Sequence, residues 1–341
     1  MDHSVWSVSA REAAVIAHGG DLGDLRRTFP DAPLPWLDLS TGINPVPYPV
    51  PPVEASAWLR LPESAELLAL RAAASGAYGA PGADHVVAAP GTQILIETLP
   101  RLVAPTEVAV VGPTYAEHAA AWRRAGHAVR EVTGLGAIGD ARVAVSVDPN
   151  NPDGRTDPLA DRLALAAAMR ARGGLLVADE AFADLEEVES LCPHVGPGLV
   201  VLRSFGKTYG LAGLRLGFAV ADPGTAGRIA GALGPWAVSG PALAIGAAAL
   251  SDGAWRAEAA RARGLDAGRL DRMILRAGGR IVGGTRLFRT ADFPDAPGLY
   301  RGLAQAGIAV RRFTERPERL RFGLPADKAA WCRLSRVMKG G

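Results

Sequence analysis

A chain of 341 residues, 48% hydrophobic and 21% charged, can bury a sizeable core and is too evenly composed for a disordered or low-complexity protein. A formal net charge of +2, with no basic run interleaved with aromatics, excludes nucleic acid and acidic membranes as expected partners. The two cysteines, Cys192 and Cys332, lie far apart and outside any ligand spacing, so neither a disulfide framework nor a metal site is expected.

The first eleven residues, Met1 to Arg11, lack the apolar core of a signal peptide, and the most apolar run, Leu243 to Leu250, is too short to span a bilayer, so the expected location is the cytoplasm. Residues 1–53 read as an irregular arm, because Pro30, Pro33, Pro35, Pro45, Pro47, Pro49, Pro51 and Pro52 forbid a long helix. Within it, His18-Gly19-Gly20-Asp21 and Asp38 to Pro45 place polar groups on pliant backbone, the composition of a segment that closes over a ligand or of an ordinary surface loop.

Residues 54–235 read as a large α/β domain. Ser64 is expected to cap a helix through Ala77 that ends near Gly79. Short apolar runs follow at Val86–Ala88, Val108–Val111, Arg142–Val147, Leu175–Ala178, Leu199–Arg203 and Leu216–Val220, several of them β-branched. With helices at Ala116–Ala125 and Leu159–Ala171 between them, they predict a doubly wound, mostly parallel sheet buried on both faces. Residues 236–341 read as a smaller α+β domain that packs with the arm. Its expected parts are a helical region, Pro241–Ala277, broken at Gly253 and Gly264, short strands near Leu287, Ala309 and Leu320, and a last helix, Ala326–Met338.

Ligands in such sheets sit beyond the carboxyl ends of the strands, and there the chain places Gly91-Thr92, Tyr115, Asn151, Asp179 and Ser204 to Lys207. Lys207, flanked by Gly206 and Gly210 after a buried strand, is a candidate for a desolvated Schiff-base amine, the alternative being an exposed lysine in a turn. A P-loop would need a glycine where Val201 stands, and its aspartate-bearing strand would follow the loop, whereas Leu175–Glu180 precedes it. Gly91 lets the chain turn into a helix whose free N–H groups, at Thr92 and Gln93, suit a phosphate, although any helix start looks similar. Arg215 and the Ser204 hydroxyl are placed to add contacts to that phosphate. Asp179 is costly to bury unless it meets a cation, or caps a helix instead.

The Ser204-x-x-Lys207 segment, with its glycine-rich tail running to Arg215, resembles the fold-type-I enzymes dependent on pyridoxal phosphate, and the resemblance covers nearly the whole chain. It implies that Lys207 carries the cofactor, that Asp179 meets the pyridinium nitrogen, and that Gly91, Thr92, Gln93, Ser204 and Arg215 surround the phosphate. It also implies that Asn151, in an Asn-Pro-x-Gly type loop, bonds the ring hydroxyl and that Tyr115 stacks on the ring. Three positions depart from the pattern: Phe182 stands where many relatives have tyrosine, Gly206 where serine is frequent, and Leu61 where a tyrosine reaches the neighbouring subunit.

Within the family, His18 to Asp21, Asp38 to Pro45 and Arg60-Leu61-Pro62 resemble the threonine-phosphate decarboxylases of cobalamin synthesis, with the histidinol-phosphate aminotransferases as the sister group. Arg321 and Arg311 resemble the family's anion-binding arginines, though surface arginines often look alike; with His18, Gly19, Asn44 and Asn151 they form the expected substrate-binding set. The implied reaction turns L-threonine O-3-phosphate into (R)-1-aminopropan-2-yl phosphate, with histidinol-phosphate-type transamination, amino transfer from histidinol phosphate to 2-oxoglutarate, as the alternative. The implied partners are a small phosphorylated amino acid and a second copy of the chain. An inert cofactor-binding module would share the fold, but Lys207, Asp179, Asn151 and Arg215 together argue for retained chemistry.

Overall fold

The computed structural model describes residues 18–339, so the reading of Met1 to Arg11 lies outside the described residues. Two sheets organise the chain. The larger has seven strands: β2 (Val86–Ala89), β3 (Glu107–Val111), β4 (Ala128–Val132), β5 (Val143–Val147), β6 (Leu175–Asp179), β7 (Leu199–Ser204) and β8 (Gly217–Ala221). Their spatial order is β2-β8-β7-β6-β5-β3-β4, and only β8 runs antiparallel to its neighbours. Side-chain alternation explains the doubly wound form. In β7, Val201 joins the core under the Ser64–Tyr78 and Gly240–Ser251 helices, while Val200 and Leu202 face the core on the other side. Burying each such valine or leucine contributes about 1.5–3 kcal/mol, which is why the central strands carry almost no polar residues.

The second sheet places β1 (Leu37–Leu39) beside β11 (Ile308–Phe313), then β12 (Arg316–Gly323), β10 (Phe288–Asp292) and β9 (Arg280–Thr285). The proline-rich arm thereby contributes a strand to the carboxyl-terminal sheet, with Leu39 opposite Val310.

Two expectations change, and two strands were not anticipated. The Ser64–Tyr78 helix is capped by Glu63 rather than Ser64: the Glu63 N–H donates to Glu66 Oε2 at 2.7 Å, and Gly79, at φ +70°, closes the other end. The helix Gly253–Arg276 runs through Gly264 without a break, because a buried stripe including Ala259, Ala267, Leu270 and Ile274 outweighs the roughly 1 kcal/mol that a helical glycine costs. Strand β4 is an exposed edge whose Arg130 and Glu131 hide its character, and β9 contains Gly283 and Gly284; neither shows an apolar run. The turn at Gly91 opens a helix over Thr92–Thr98, which continues as a tighter 3-10 turn, Leu99–Leu102.

Candidate active site

Lys207 sits in a single helical turn, Phe205–Thr208, directly after β7. A buried ionic network fixes that turn. Arg203 donates to Glu180 Oε2 at 2.6 Å and pairs with Asp184, and Asp184 accepts from Thr208 Oγ1 at 2.8 Å. Gly206 has no room for a side chain, since a Cβ would lie 2.8 Å from Ala212 Cα. The arm runs alongside: the Asn44 N–H donates to Lys207 O at 2.9 Å and the Tyr48 N–H to Tyr209 O at 2.8 Å. Gly210, at φ +65°, permits this close approach, because a Cβ there would stand 2.6 Å from Asn44 O.

Burial lowers the Lys207 pKa, the neighbouring Arg321 and Arg215 lower it further, and Asp179 opposes them. The Lys207 ammonium lies 4.7 Å from the centre of the Phe182 ring, which meets Phe288 edge-on at 5.0 Å. These two rings fill the space over Gly42, where a Cβ would be 2.8 Å from Phe182 and 2.9 Å from Phe288.

At the end of β6 the chain turns its two acids to opposite sides. Glu180 points into the ionic network, accepting from the Leu191 N–H at 2.8 Å, while Asp179 faces the site. Asp179 is buried, and burial alone would raise its pKa. The His118 ring nitrogen 2.8 Å away, the Lys207 charge and the Ala181 N–H at 2.9 Å hold it below the ordinary value. His118 went unread in the sequence. The signal was its spacing: it stands three residues after Tyr115, on the face that the Glu117–Arg124 helix turns inward, with ring centres 6.1 Å apart.

The Tyr115 hydroxyl donates to Gln93 Oε1 at 3.0 Å, and burial, then the Glu117 and Asp179 charges, push its pKa up to about 12. Gly91, at φ +86°, lies against Arg215; a Cβ would stand 2.5 Å from that guanidinium, so the glycine forms a cradle that only a bare backbone leaves open. Thr92 follows at the helix start, Gln93 one residue further in, and Ser204 is buried at the end of β7.

On the opposite wall Arg321, in β12, is buried and donates to Asn151 Oδ1 and, at 2.8 Å, to Ser40 O. Burial and the adjacent Arg311, its partner across β11, lower its pKa to about 10. Among the described residues no carboxylate pairs with Arg321, and its Nε has no partner. His18 stands at the rim, with Nε2 2.9 Å from Glu117 Oε1 and its ring 6.2 Å from that of Tyr115. Gly19 packs on Ser40, where a Cβ would be 2.4 Å from the carbonyl oxygen. Asn44 has a different setting from the substrate contact expected of it. Its amide donates to Thr208 O at 2.9 Å and its oxygen accepts from Arg263 at 3.2 Å, so it positions the lysine turn. Neighbouring Asn150 is likewise spent on the loop, accepting from Thr114 Oγ1 at 2.6 Å.

The structure thus brings Lys207, Asp179, Tyr115, Asn151, Phe182, Arg311 and Arg321 around one space, with Gly91, Ser204 and Arg215 at its edge. This fits the implied cofactor: an ionised buried carboxylate suits a cationic ring nitrogen, the Gly91–Arg215 cradle suits a phosphate, and the orphaned Arg321 Nε suits a second anion.

The sequence model of the family "aminotransferase class I and II" matches residues 56–330. A threonine-phosphate decarboxylase of Pseudomonas aeruginosa is 43% identical over 96% of this chain and 98% of its own length. Another, from a Sinorhizobium species, is 45% identical over 95% and 97%. Among solved structures, the histidinol-phosphate aminotransferase of Sinorhizobium meliloti in complex with pyridoxal-5'-phosphate superposes with a TM-score of 0.77, at 22% identity and 98% coverage of both chains.

Proposed function

Because the chain belongs to the aminotransferase class I and II family, we propose that it is a pyridoxal-phosphate enzyme that decarboxylates L-threonine O-3-phosphate. The observation that carries this reading is the near-full-length likeness to the two threonine-phosphate decarboxylases, at 43% and 45% identity. The products are carbon dioxide and (R)-1-aminopropan-2-yl phosphate, a compound of the aminopropanol arm of cobalamin biosynthesis.

Gly91, Thr92, Ser204 and Arg215 would hold the cofactor's phosphate, Asp179 its ring nitrogen, Asn151 its ring hydroxyl, Tyr115 its ring face and Lys207 its aldehyde carbon. When bound, pyridoxal phosphate supplies an electron sink for the bond broken at the substrate's Cα. Lys207, its pKa lowered by burial, sheds its proton more readily than a free lysine, so it serves as nucleophile and later returns a proton to Cα. Asp179, kept ionised with the help of His118, balances positive charge on the ring nitrogen. Phe182 and Phe288 exclude water behind Lys207.

Arg321, with Arg311 beside it, binds the substrate phosphate. A dianion makes stronger charge-assisted bonds to guanidinium than a carboxylate does, and holding the substrate by its phosphate leaves the carboxylate unclamped and free to depart. Holding the carboxylate instead would leave the Cα–H bond to break, which is transamination. Replacing Arg321 with Met is expected to raise KM for phosphothreonine by about tenfold or more, each such contact being worth roughly 1.5–3 kcal/mol. The weak turnover of free threonine should hardly change; an equal loss on both substrates would contradict the phosphate assignment.

The working form is a homodimer. Support comes from exposed apolar side chains between the arm and the first long helix, with Trp58 68%, Leu59 82% and Leu61 64% exposed, together with Trp236 at 60%.

A further inference from the structure

The sheet edge opposite Lys207 carries a second cavity. It opens at the amino-terminal ends of β3, β5, β6 and β7, has a volume of about 670 Å³, and is floored by apolar side chains such as Val143, Leu175 and Ile229. The five residues of β5 separate it from the carboxyl-end loops, roughly 15 Å at a strand's rise, so it shares nothing with the site described above. Its volume lies within the range of small-molecule sites.

The charge on its rim is one-sided. Arg142, Arg170 and Arg228 line the cavity and no Asp or Glu does. All three are exposed, and Arg142 lies over the turn at Gly173, where a Cβ would be 3.8 Å from its guanidinium. Other arginines of the chain, such as Arg124, Arg203, Arg263, Arg289 and Arg319, each pair with a carboxylate. Here, among the described residues, none of the three does, and Arg228 donates only to Thr225 Oγ1, at 2.9 Å. Three guanidinium groups lining one apolar floor, with Asp222 acting on Arg228 only from beyond ion-pair distance, are complementary to one kind of ligand.

We propose that this cavity binds a small amphipathic phosphate ester, its flat apolar body on the strand ends and its dianionic head among Arg142, Arg170 and Arg228. The guanidinium groups set the charge of the ligand; the floor sets its apolar part.

Calorimetric titration of 1-naphthyl phosphate tests this, using borohydride-reduced holoenzyme that carries Arg321→Met, so that neither the cofactor nor the proposed substrate-phosphate site takes the probe. We expect one saturable site per chain, and binding weaker by about tenfold or more in the double variant Arg142→Glu/Arg170→Glu. 1-Naphthol and inorganic phosphate, each carrying half of the recognised chemistry, should also bind at least about tenfold more weakly than the ester. Both altered residues are exposed and remote from Lys207, so in unreduced enzyme with Arg321 intact the variant should keep its melting temperature and its turnover. Arg228→Glu, on a separate helix, gives an independent loss of binding should the double variant fail to fold. Absence of saturable binding, unchanged affinity in the variants, or inorganic phosphate binding as tightly as the ester would overturn the proposal. The variants alter only this cavity, so the outcome is independent of the reaction at Lys207.

Discussion

A single contact decides what Asp179 can do. Burial at the end of β6 would raise its pKa, and the His118 ring nitrogen at 2.8 Å is the foremost influence that reverses the direction. His118 acts through Asp179 and is a positioning residue. His118→Phe is expected to lower kcat by roughly tenfold to a hundredfold, the worth of one charge-assisted bond, and to move the acid limb of the pH–rate profile upward as Asp179 becomes easier to protonate. His118→Gln, which keeps a donor, should restore part of both. A fall in kcat with an unmoved acid limb would make His118 merely structural. Lys207 and Asp179 were legible in the sequence because each stands at or just past the end of a strand buried on both faces, where a charge needs a reason. His118 and Ser40 were not, since their roles depend on a helix and an arm arriving from elsewhere in the chain.

At the scale of elements, loops are positioned by buried charge. Asp148 closes β5 beside Asn150 and Asn151, accepts from the Asp157 N–H at 2.6 Å, and has its pKa raised to about 6, chiefly by burial. Its protonated form is favoured by folding. The associated stability is therefore fully present below the ordinary carboxyl value of 3.8 and is lost as pH rises through about 6. Asp148→Asn, which cannot ionise, should gain stability relative to the parent between pH 4 and pH 6 by at most about 3 kcal/mol, and hold a constant difference above that window. Melting curves across the range check the sign; a gap that closes with rising pH would contradict it. Nearly all central strands were readable as apolar runs, but β4, an edge dressed with Arg130 and Glu131, and β9, with Gly283 and Gly284, were not. Their pairing partners define them more than their own side chains do.

For the whole molecule, the arm joins what the two sheets separate. It pairs as β1 with β11 and then runs along the lysine turn through Asn44 and Tyr48, so it ties the arginine wall to the turn that carries Lys207. The neighbouring apolar surface at Trp58, Leu59 and Leu61 is exposed. Sedimentation should show a dimer, and Leu61→Glu should shift it toward monomer and lower activity together; a fully active monomer would remove the dimer from the account. The arm's irregularity was plain from its prolines, whereas its place between two sheets was not, because no local pattern encodes a strand added to a distant edge.

The central claim is that the bond broken is the one to the carboxylate. Incubating the holoenzyme with L-threonine O-3-phosphate labelled in its carboxyl carbon tests it most directly, with histidinol phosphate and 2-oxoglutarate offered to the same preparation. The account predicts labelled carbon dioxide and aminopropanol phosphate in equal amounts, with little amino transfer; rapid glutamate formation without labelled carbon dioxide would contradict it.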